Sequence, residues 1–321
     1  MPRRVRGVLD GYTVGMIATR EIAPGVAVSA IGFGGYHLGL IDDEREAIRL
    51  LHAALDAGVN FLDNAWEYNE HVSEERMGKA LADGNRRERV FLMTKVCTHG
   101  RGADVARRQL EESLRRLRTD HLDLWQIHEC VYDDDPARHY AKGGVVEALE
   151  KAKRDGIVRF VGFTGHKRPA IHREMIERGF PFDTAQMPLN VLDPNFRSFE
   201  KHVVPLARER GIKVIGMKAF SEGRMLEAGK VDPDDALRYA MSVPGLLTTV
   251  TGIDSQHVLD HHVRIADGFT PLDETVMQAL RDKYHDRATD GHLELYKSSM
   301  KNDADEGRAQ HGFPPMSELA M

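Results

Sequence analysis

The chain has 321 residues, a formal net charge of −6, 41% hydrophobic and 29% charged residues, a balance ordinary for a globular protein with a sizeable core. The acidic balance and the even spread of Lys and Arg give no reason to expect nucleic acid as a partner. No apolar run is long enough for a membrane span, and oligomeric state stays open. Two cysteines point to a reducing, aqueous compartment, for which the cytoplasm is the expectation. Arg3-Arg4 would begin a twin-arginine export signal only if an apolar segment followed, and Arg6, Asp10 and several glycines stand there instead.

In chain order, the segments 19–22 and 26–30, joined through Ala23-Pro24-Gly25, read as a hairpin. A strand follows to Gly34, and Gly32, Gly34 and Gly35 permit close approach of another backbone or a cofactor, although no helix follows at the spacing of a dinucleotide fingerprint. Asp42 or Asp43 can cap a helix whose Ile48, Leu51 and Leu55 share one stripe and which Gly58 ends. The pattern predicts strand 60–63, helix 73–82, strand 90–95, helix 103–117, strand 122–128 and helix 144–154. It then predicts strand 158–163, helix 169–178, strand 184–188, helix 197–210, strand 212–217, helix 233–242, strand 247–252 and helix 255–266. Eight such units close into a (β/α)8 barrel without an edge strand, whereas a doubly wound sheet would use fewer. One more helix, 272–284, lies outside the count, and 286–321 is polar and weakly periodic, either a lid or a mobile tail.

Three of these strands end in chemistry. Asn60-Phe61-Leu62 runs into Asp63 with Tyr68 five residues on, Phe91-Leu92-Met93-Thr94 runs into Lys95, and Leu122-Asp123-Leu124-Trp125-Gln126-Ile127 runs into His128. A parallel barrel gathers strand ends at one rim, so Asp63, Tyr68, Lys95 and His128 should meet there. Taken singly, Asp63 is a helix cap and His128 a satisfied partner. Lys95 is harder to dismiss, because a long cation beside an apolar strand is rarely buried without a carboxylate, here Asp63. Together they form a proton-handling set. A phenol titrates near pH 10, a neighbouring ammonium lowers that value, and an imidazole can donate to an oxygen on which charge develops. The set suits reduction of a carbonyl, in which carbon receives hydride and oxygen a proton.

With these residues in place, the sequence resembles the aldo-keto reductases. The resemblance rests on Ala30-Ile31-Gly32-Phe33-Gly34-Gly35, Asn60-Phe61-Leu62-Asp63 with Tyr68, Met93-Thr94-Lys95, the strand ending in His128, Gly156-Ile157-Val158-Arg159-Phe160-Val161-Gly162, and Gln186. It covers 16–268, so that 1–15 becomes an N-terminal arm, 16–285 the barrel and 286–321 the C-terminal tail or lid. It implies that Tyr68 is the general acid, Lys95 and Asp63 its tuning pair, His128 the group orienting the carbonyl, and the hairpin a closure of the barrel's bottom.

The resemblance also implies a nicotinamide cofactor, NADPH or NADH. Thr164, Gly165 and Gln186 would hold the carboxamide, with Thr164-Gly165 in place of the family's usual serine-asparagine. Met217 stands where the family stacks an aromatic on the nicotinamide, in the run Gly216-Met217-Lys218-Ala219-Phe220, and it reads equally as barrel core. Ser221, Gly223 and Arg224 would approach the pyrophosphate. After the eighth strand, Gly252-Ile253-Asp254 lacks the cations that a 2′-phosphate needs, which keeps NADH open, and His262 would contact adenine.

His257, His261 and His262 have helical spacing but no evident third ligand, so no metal is assigned. Cys97 and Cys130 each lie two residues beyond a proposed catalytic residue and could face the active-site mouth as oxidation-sensitive thiols, or be unrelated small residues. Trp66 and Tyr132 are expected to line the substrate pocket. Two other readings remain beside an NAD(P)H-dependent reductase of a small carbonyl. One is a barrel lyase using Lys95 as Schiff base, the other a nicotinamide-binding redox sensor with little turnover.

Overall fold

The computed structural model describes residues 8–9, 12–13, 17–97, 102–227, 231–300, 303, 305–310 and 312–319. Of the expected arm, β1 (Val8–Leu9) and β2 (Tyr12–Thr13) form a short antiparallel pair, and its remainder lies outside the described residues. β3 (Thr19–Ala23) and β4 (Val26–Ser29) make the expected hairpin, turned at Gly25, whose φ of 75° is one that a residue without Cβ adopts freely.

Eight parallel strands then close a barrel: β5 (Ile31–Gly34), β6 (Phe61–Asp63), β7 (Phe91–Val96), β8 (Leu122–Ile127), β9 (Val158–Thr164), β10 (Thr184–Pro188), β11 (Lys213–Met217) and β12 (Leu246–Gly252). They neighbour one another in chain order, and β12 returns to pair with β5, Gly252 opposite Gly34. Each strand is a short apolar run because both its faces are buried, one against the barrel interior and one against a helix.

The outer layer begins with α1 (Gly35–Leu40), α2 (Glu44–Asp56), α3 (Val72–Ala82), α4 (Ala103–Leu117), α5 (Asp135–Tyr140), α6 (Val145–Arg154) and α7 (Pro169–Glu177). Asp43 caps α2 by accepting from the Arg45 amide, and the helix buries Ala47, Leu50, Leu51, Ala54 and Leu55, the i, i+3, i+4 stripe of an amphipathic helix. The helix expected over 197–210 is two pieces, α8 (Phe199–His202) and α9 (Val204–Glu209), which meet at Val203 with a φ of −113°. Pro205 explains the break: it has no N–H to donate and crowds the preceding turn. α10 (Arg224–Glu227), α11 (Pro233–Ser242), α12 (Gln256–Ala266) and α13 (Glu274–Tyr284) complete the ring.

The hairpin plugs the N-terminal end of the barrel. Ile22 and Val28 join a cluster with the inward-facing Phe61, Phe91, Met93, Leu124, Ile215, Leu247 and Val250, in which the Phe61 and Phe91 rings stack at 5.3 Å. Each large apolar side chain so removed from water contributes roughly 1.5–3 kcal/mol. Asn60 fastens the plug, its Oδ1 accepting from the Ser29 amide and its Nδ2 donating to Ala27 O. The opposite rim is thereby left for polar groups. There the tail, with α14 (Leu295–Ser298) and α15 (Asp305–Gln310), packs on the loops that follow β8 to β11 through Tyr296, Lys297, Asp303 and Phe313. Among the described residues, no helix is long and apolar enough to cross a membrane.

Candidate active site

Asp63 ends β6 and Lys95 is the penultimate of the six residues of the neighbouring β7, so both side chains stand at the C-terminal ends of adjacent strands. Lys95 is 1% exposed, and such a cation is tolerable only with every proton donated. Its Nζ reaches Asp63 Oδ1 at 2.6 Å, Asn64 O at 2.8 Å and Tyr68 Oη at 3.3 Å. His128 follows β8 directly, and its ring stands 5.5 Å from that of Tyr68 at an interplanar angle of 75°. The four expected residues therefore meet at one rim.

The electrostatics differ from the sequence expectation. Lys95 was to lower the phenol's pKa, yet the Tyr68 hydroxyl is held well above its ordinary value, first by burial and then by the charges of Asp63, Glu67 and Glu129. The reason is that Asp63 neutralises Lys95 at contact distance, so the cation's effect on the phenol is offset. Burial likewise lowers the pKa of Lys95, opposed by Asp63.

Glu67 is a residue that the sequence reading missed, although a charge between two aromatics in Trp66-Glu67-Tyr68 was a visible signal. Its Oε1 lies 2.6 Å from His128 Nδ1, a close contact not aligned as a full hydrogen bond, and its Oε2 accepts from the Cys97 thiol. Glu129 enters the same cluster with a φ of 51°. One ligand atom each from Glu67, His128 and Glu129 lie within 4.8 Å of one another, close enough to surround a cation. Both Glu67 oxygens already face donors, so the cluster is a proton network first.

The expected cofactor residues lie at the C-terminal ends of β9, β10, β11, β12 and β5, which are consecutive around the barrel. Thr164 pairs in register with Gln186, and its hydroxyl points to Met217 Sδ at 3.8 Å. Gln186 donates to Asp63 Oδ2 at 2.9 Å, which leaves its buried Oε1 without a protein partner. At Gly165 a Cβ would come 2.3 Å from Cys130 O, so no side chain fits there. The next residue, His166, is turned toward the tail, 4.0 Å from Asp303, with a pKa lowered to about 4 chiefly by burial.

Lys218 pairs with Glu222, and its ammonium sits 4.9 Å from the Tyr296 ring centroid. Ser221 bonds to Tyr296 Oη, Gly223 turns the chain at a φ of 85°, and Arg224 keeps a buried Nε without a partner. The space that a Cβ at Gly252 would fill is taken by the His37 ring, so this glycine serves packing inside the protein. Gly34 is similar, with Thr251 O 2.8 Å from where a Cβ would lie. Asp254 is exposed, and His262 is buried with its ring stacked on Phe220 at 5.4 Å.

The two residues expected in the substrate pocket separate. Trp66 donates from Nε1 to Glu112 on α4 at 2.8 Å and carries the Arg116 guanidinium over its ring, so its indole serves the barrel wall. Tyr132 is buried against Phe313 of the tail. Tyr36, half exposed and edge-on to Tyr68 at 5.5 Å, was not foreseen at the mouth. Cys130 is wholly buried in the core and not at the mouth. His261 bonds to Asp234 while His262 turns inward, so the histidine run of α12 does not converge.

Comparison with known proteins agrees with this architecture. The uncharacterized oxidoreductase YrpG of Bacillus subtilis (strain 168) is 32% identical over 220 residues, 62% of this chain and 65% of that protein. The 6-dehydroglucose reductase of Novosphingobium aromaticivorans is 36% identical over 162 residues, 46% of this chain and 51% of that protein. The chain thus spans about two-thirds or less of these relatives' length. The holo form of aldo-keto reductase AKR11C1 from Bacillus halodurans superposes with a TM-score of 0.70 at 26% identity, covering 83% of this chain and 96% of that one. The model of the Aldo/keto reductase family matches residues 30–235, more than half of the chain, and the protein belongs to that family.

Proposed function

We propose that this protein is an NAD(P)H-dependent oxidoreductase that reduces a small aldehyde or ketone to an alcohol, or runs the reverse. The observation that carries the reading is the buried Lys95, which donates at once to Asp63 and to the hydroxyl of Tyr68 on the barrel rim. Family membership and the oxidoreductase names of its relatives support it.

The residues at the strand ends fit a nicotinamide nucleotide. Gln186 Oε1 is a buried acceptor without a protein partner, suited to a carboxamide, and Arg224 Nε a buried donor without one, suited to a phosphate. Thr164, Gly165, Met217, Lys218, Phe220, Ser221, Gly223, Asp254 and His262 would complete the contact surface. Hydride for the carbonyl carbon is the chemistry that a dihydronicotinamide supplies when bound. Tyr68 gives its proton to the carbonyl oxygen as charge develops there, and its raised pKa keeps it in the protonated form beforehand. Lys95 holds the phenol in place and receives part of the charge left on its oxygen; Asp63 and Asn64 O fix the lysine. His128 orients the carbonyl. A lysine that donates to three acceptors has no lone pair free for attack, so the geometry favours reduction over Schiff-base chemistry.

Fluorescence titration with NADPH and with NADH, followed by turnover on a panel of aldehydes and ketones, tests the proposal. Binding of at least one coenzyme with carbonyl-dependent oxidation is the expected result. Binding with no turnover across the panel would make the protein a sensor.

A further inference from the structure

The carboxylate of Glu67 is placed between two strands. Its Oε1 lies 2.6 Å from Nδ1 of His128, just after β8, and its Oε2 accepts a hydrogen bond from the thiol of Cys97, just after β7. The backbone on either side is equally fixed: the Trp66 amide donates to Lys95 O at 3.1 Å, and Tyr68 Oη is bound by Lys95. Glu67 therefore cannot move without disturbing the strand ends that carry the chemistry. His128 is 6% exposed, and a buried imidazole with one nitrogen against a carboxylate is restricted to the arrangement in which that nitrogen bears the proton.

We infer that Glu67 is a positioning residue for His128: its carboxylate holds the imidazole by the Nδ1 proton and fixes the plane of the ring, and so turns Nε2 toward the reacting oxygen. The Nδ1 contact is close without being aligned as a full hydrogen bond, and contacts of this kind commonly tighten when catalytic sites fill. No atom changes hands between Glu67 and His128 in this arrangement. The carboxylate holds the ring by its Nδ1 proton; the doubly protonated imidazole then donates a hydrogen bond from Nε2 to the carbonyl oxygen, to which Tyr68 gives the proton. The inference rests on the reductase reading for its consequence in turnover, but its structural part stands apart from it.

Two measurements test it. In the intact protein, long-range 15N–1H correlation, with His128 assigned by the spectrum of His128→Gln, should show a proton on Nδ1 at neutral pH. A spectrum with no proton on Nδ1 would overturn the inference whatever the activity. Among variants, Glu67→Leu should lower kcat about 10- to 100-fold while leaving the NADPH dissociation constant within about twofold. Glu67→Gln, whose amide oxygen still accepts from Nδ1–H, should recover most of that loss. A Glu67→Leu enzyme with kcat within about twofold of the parent, or a Gln variant as impaired as the Leu variant, would contradict the positioning role. Should the Leu variant fail to fold, the spectrum of the parent still decides. Absence of any turnover in the parent would strike the reductase reading and leave the spectrum to judge this one.

Discussion

Two of the buried lysine-aspartate pairs on the barrel rim are close in geometry and unlike in purpose. Lys95 meets Asp63 at 2.6 Å, and Lys297 of the tail meets Asp193 at 2.7 Å, with all four side chains removed from solvent. The surplus protons of Lys297 go to Glu294 Oε1 at 2.9 Å and Phe196 O at 3.0 Å, while Asp193 also accepts from Ser198 and the amides of Phe199 and Glu200. That network fastens the tail to the loop after β10. The surplus of Lys95 goes in part to a phenol, a group that can gain and lose a proton. A buried ion pair is thus weak evidence of function; the identity of the third acceptor separates a clasp from a catalyst.

The sharpest way to break this comparison is to replace each lysine by methionine. Lys95→Met should cost about 10³- to 10⁴-fold in turnover, as expected when a group acting on the transferred proton is lost. Its partner Asp63 retains Gln186 as a donor, so folding should survive. An active Lys95→Met enzyme would erase the distinction.

Lys297→Met should act on stability instead, by about 3–5 kcal/mol, since Asp193 and Glu294 would be left buried beside one another. Denaturant unfolding measures this. A loss under about 1 kcal/mol would mean that the tail is held by its apolar contacts alone.

Acid sharpens the comparison further, because the rim and its surroundings also hold neutral histidines. Burial lowers the pKa of His166 and His172 to about 4 and of His262 to about 3, from an ordinary 6.5. The unfolded chain therefore binds protons below about pH 6.5 that the folded chain refuses. Stability is full above that pH and falls as pH drops toward 4, by roughly 1–2 kcal/mol per histidine between pH 6.5 and 5. Thermal melts at the two pH values should differ, and His262→Phe, which keeps the stack on Phe220, should lessen the difference. Equal midpoints would show that these rings are not buried in solution.

The smallest effect is expected at Trp66. If its indole serves α4, Trp66→Phe should change KM by less than about threefold and cost about 1 kcal/mol of stability through the lost bond to Glu112. A tenfold rise in KM would return Trp66 to the substrate pocket.

What was legible in the sequence followed from where apolar runs stop. Phe61-Leu62 before Asp63 and Phe91 to Thr94 before Lys95 declare both a strand and a polar tip, and the eight repeats of that pattern declare the barrel. The break at Val203 was readable too, since Pro205 stood in the middle of the expected helix. The tail was not legible: Lys297 and Asp193 lie 104 residues apart, and polar groups that satisfy one another leave no hydrophobic period. The raised pKa of Tyr68 was hidden for a related reason. Sequence placed Lys95 beside the phenol but could not weigh its charge against the burial of the ring, Asp63 at contact distance and two further carboxylates. The turn of the Trp66 indole toward Glu112 was not legible because loop direction, unlike strand alternation, has no period.

The measurement that bears most directly on the account is single-turnover carbonyl reduction by Tyr68→Phe alongside coenzyme binding to the same variant. The proposed roles predict binding within about threefold of the parent and a chemical step slowed about 10³-fold or more. A variant that reduces its carbonyl at the parent rate would show that the proton comes from elsewhere and that the meeting of Asp63, Tyr68, Lys95 and His128 is structural.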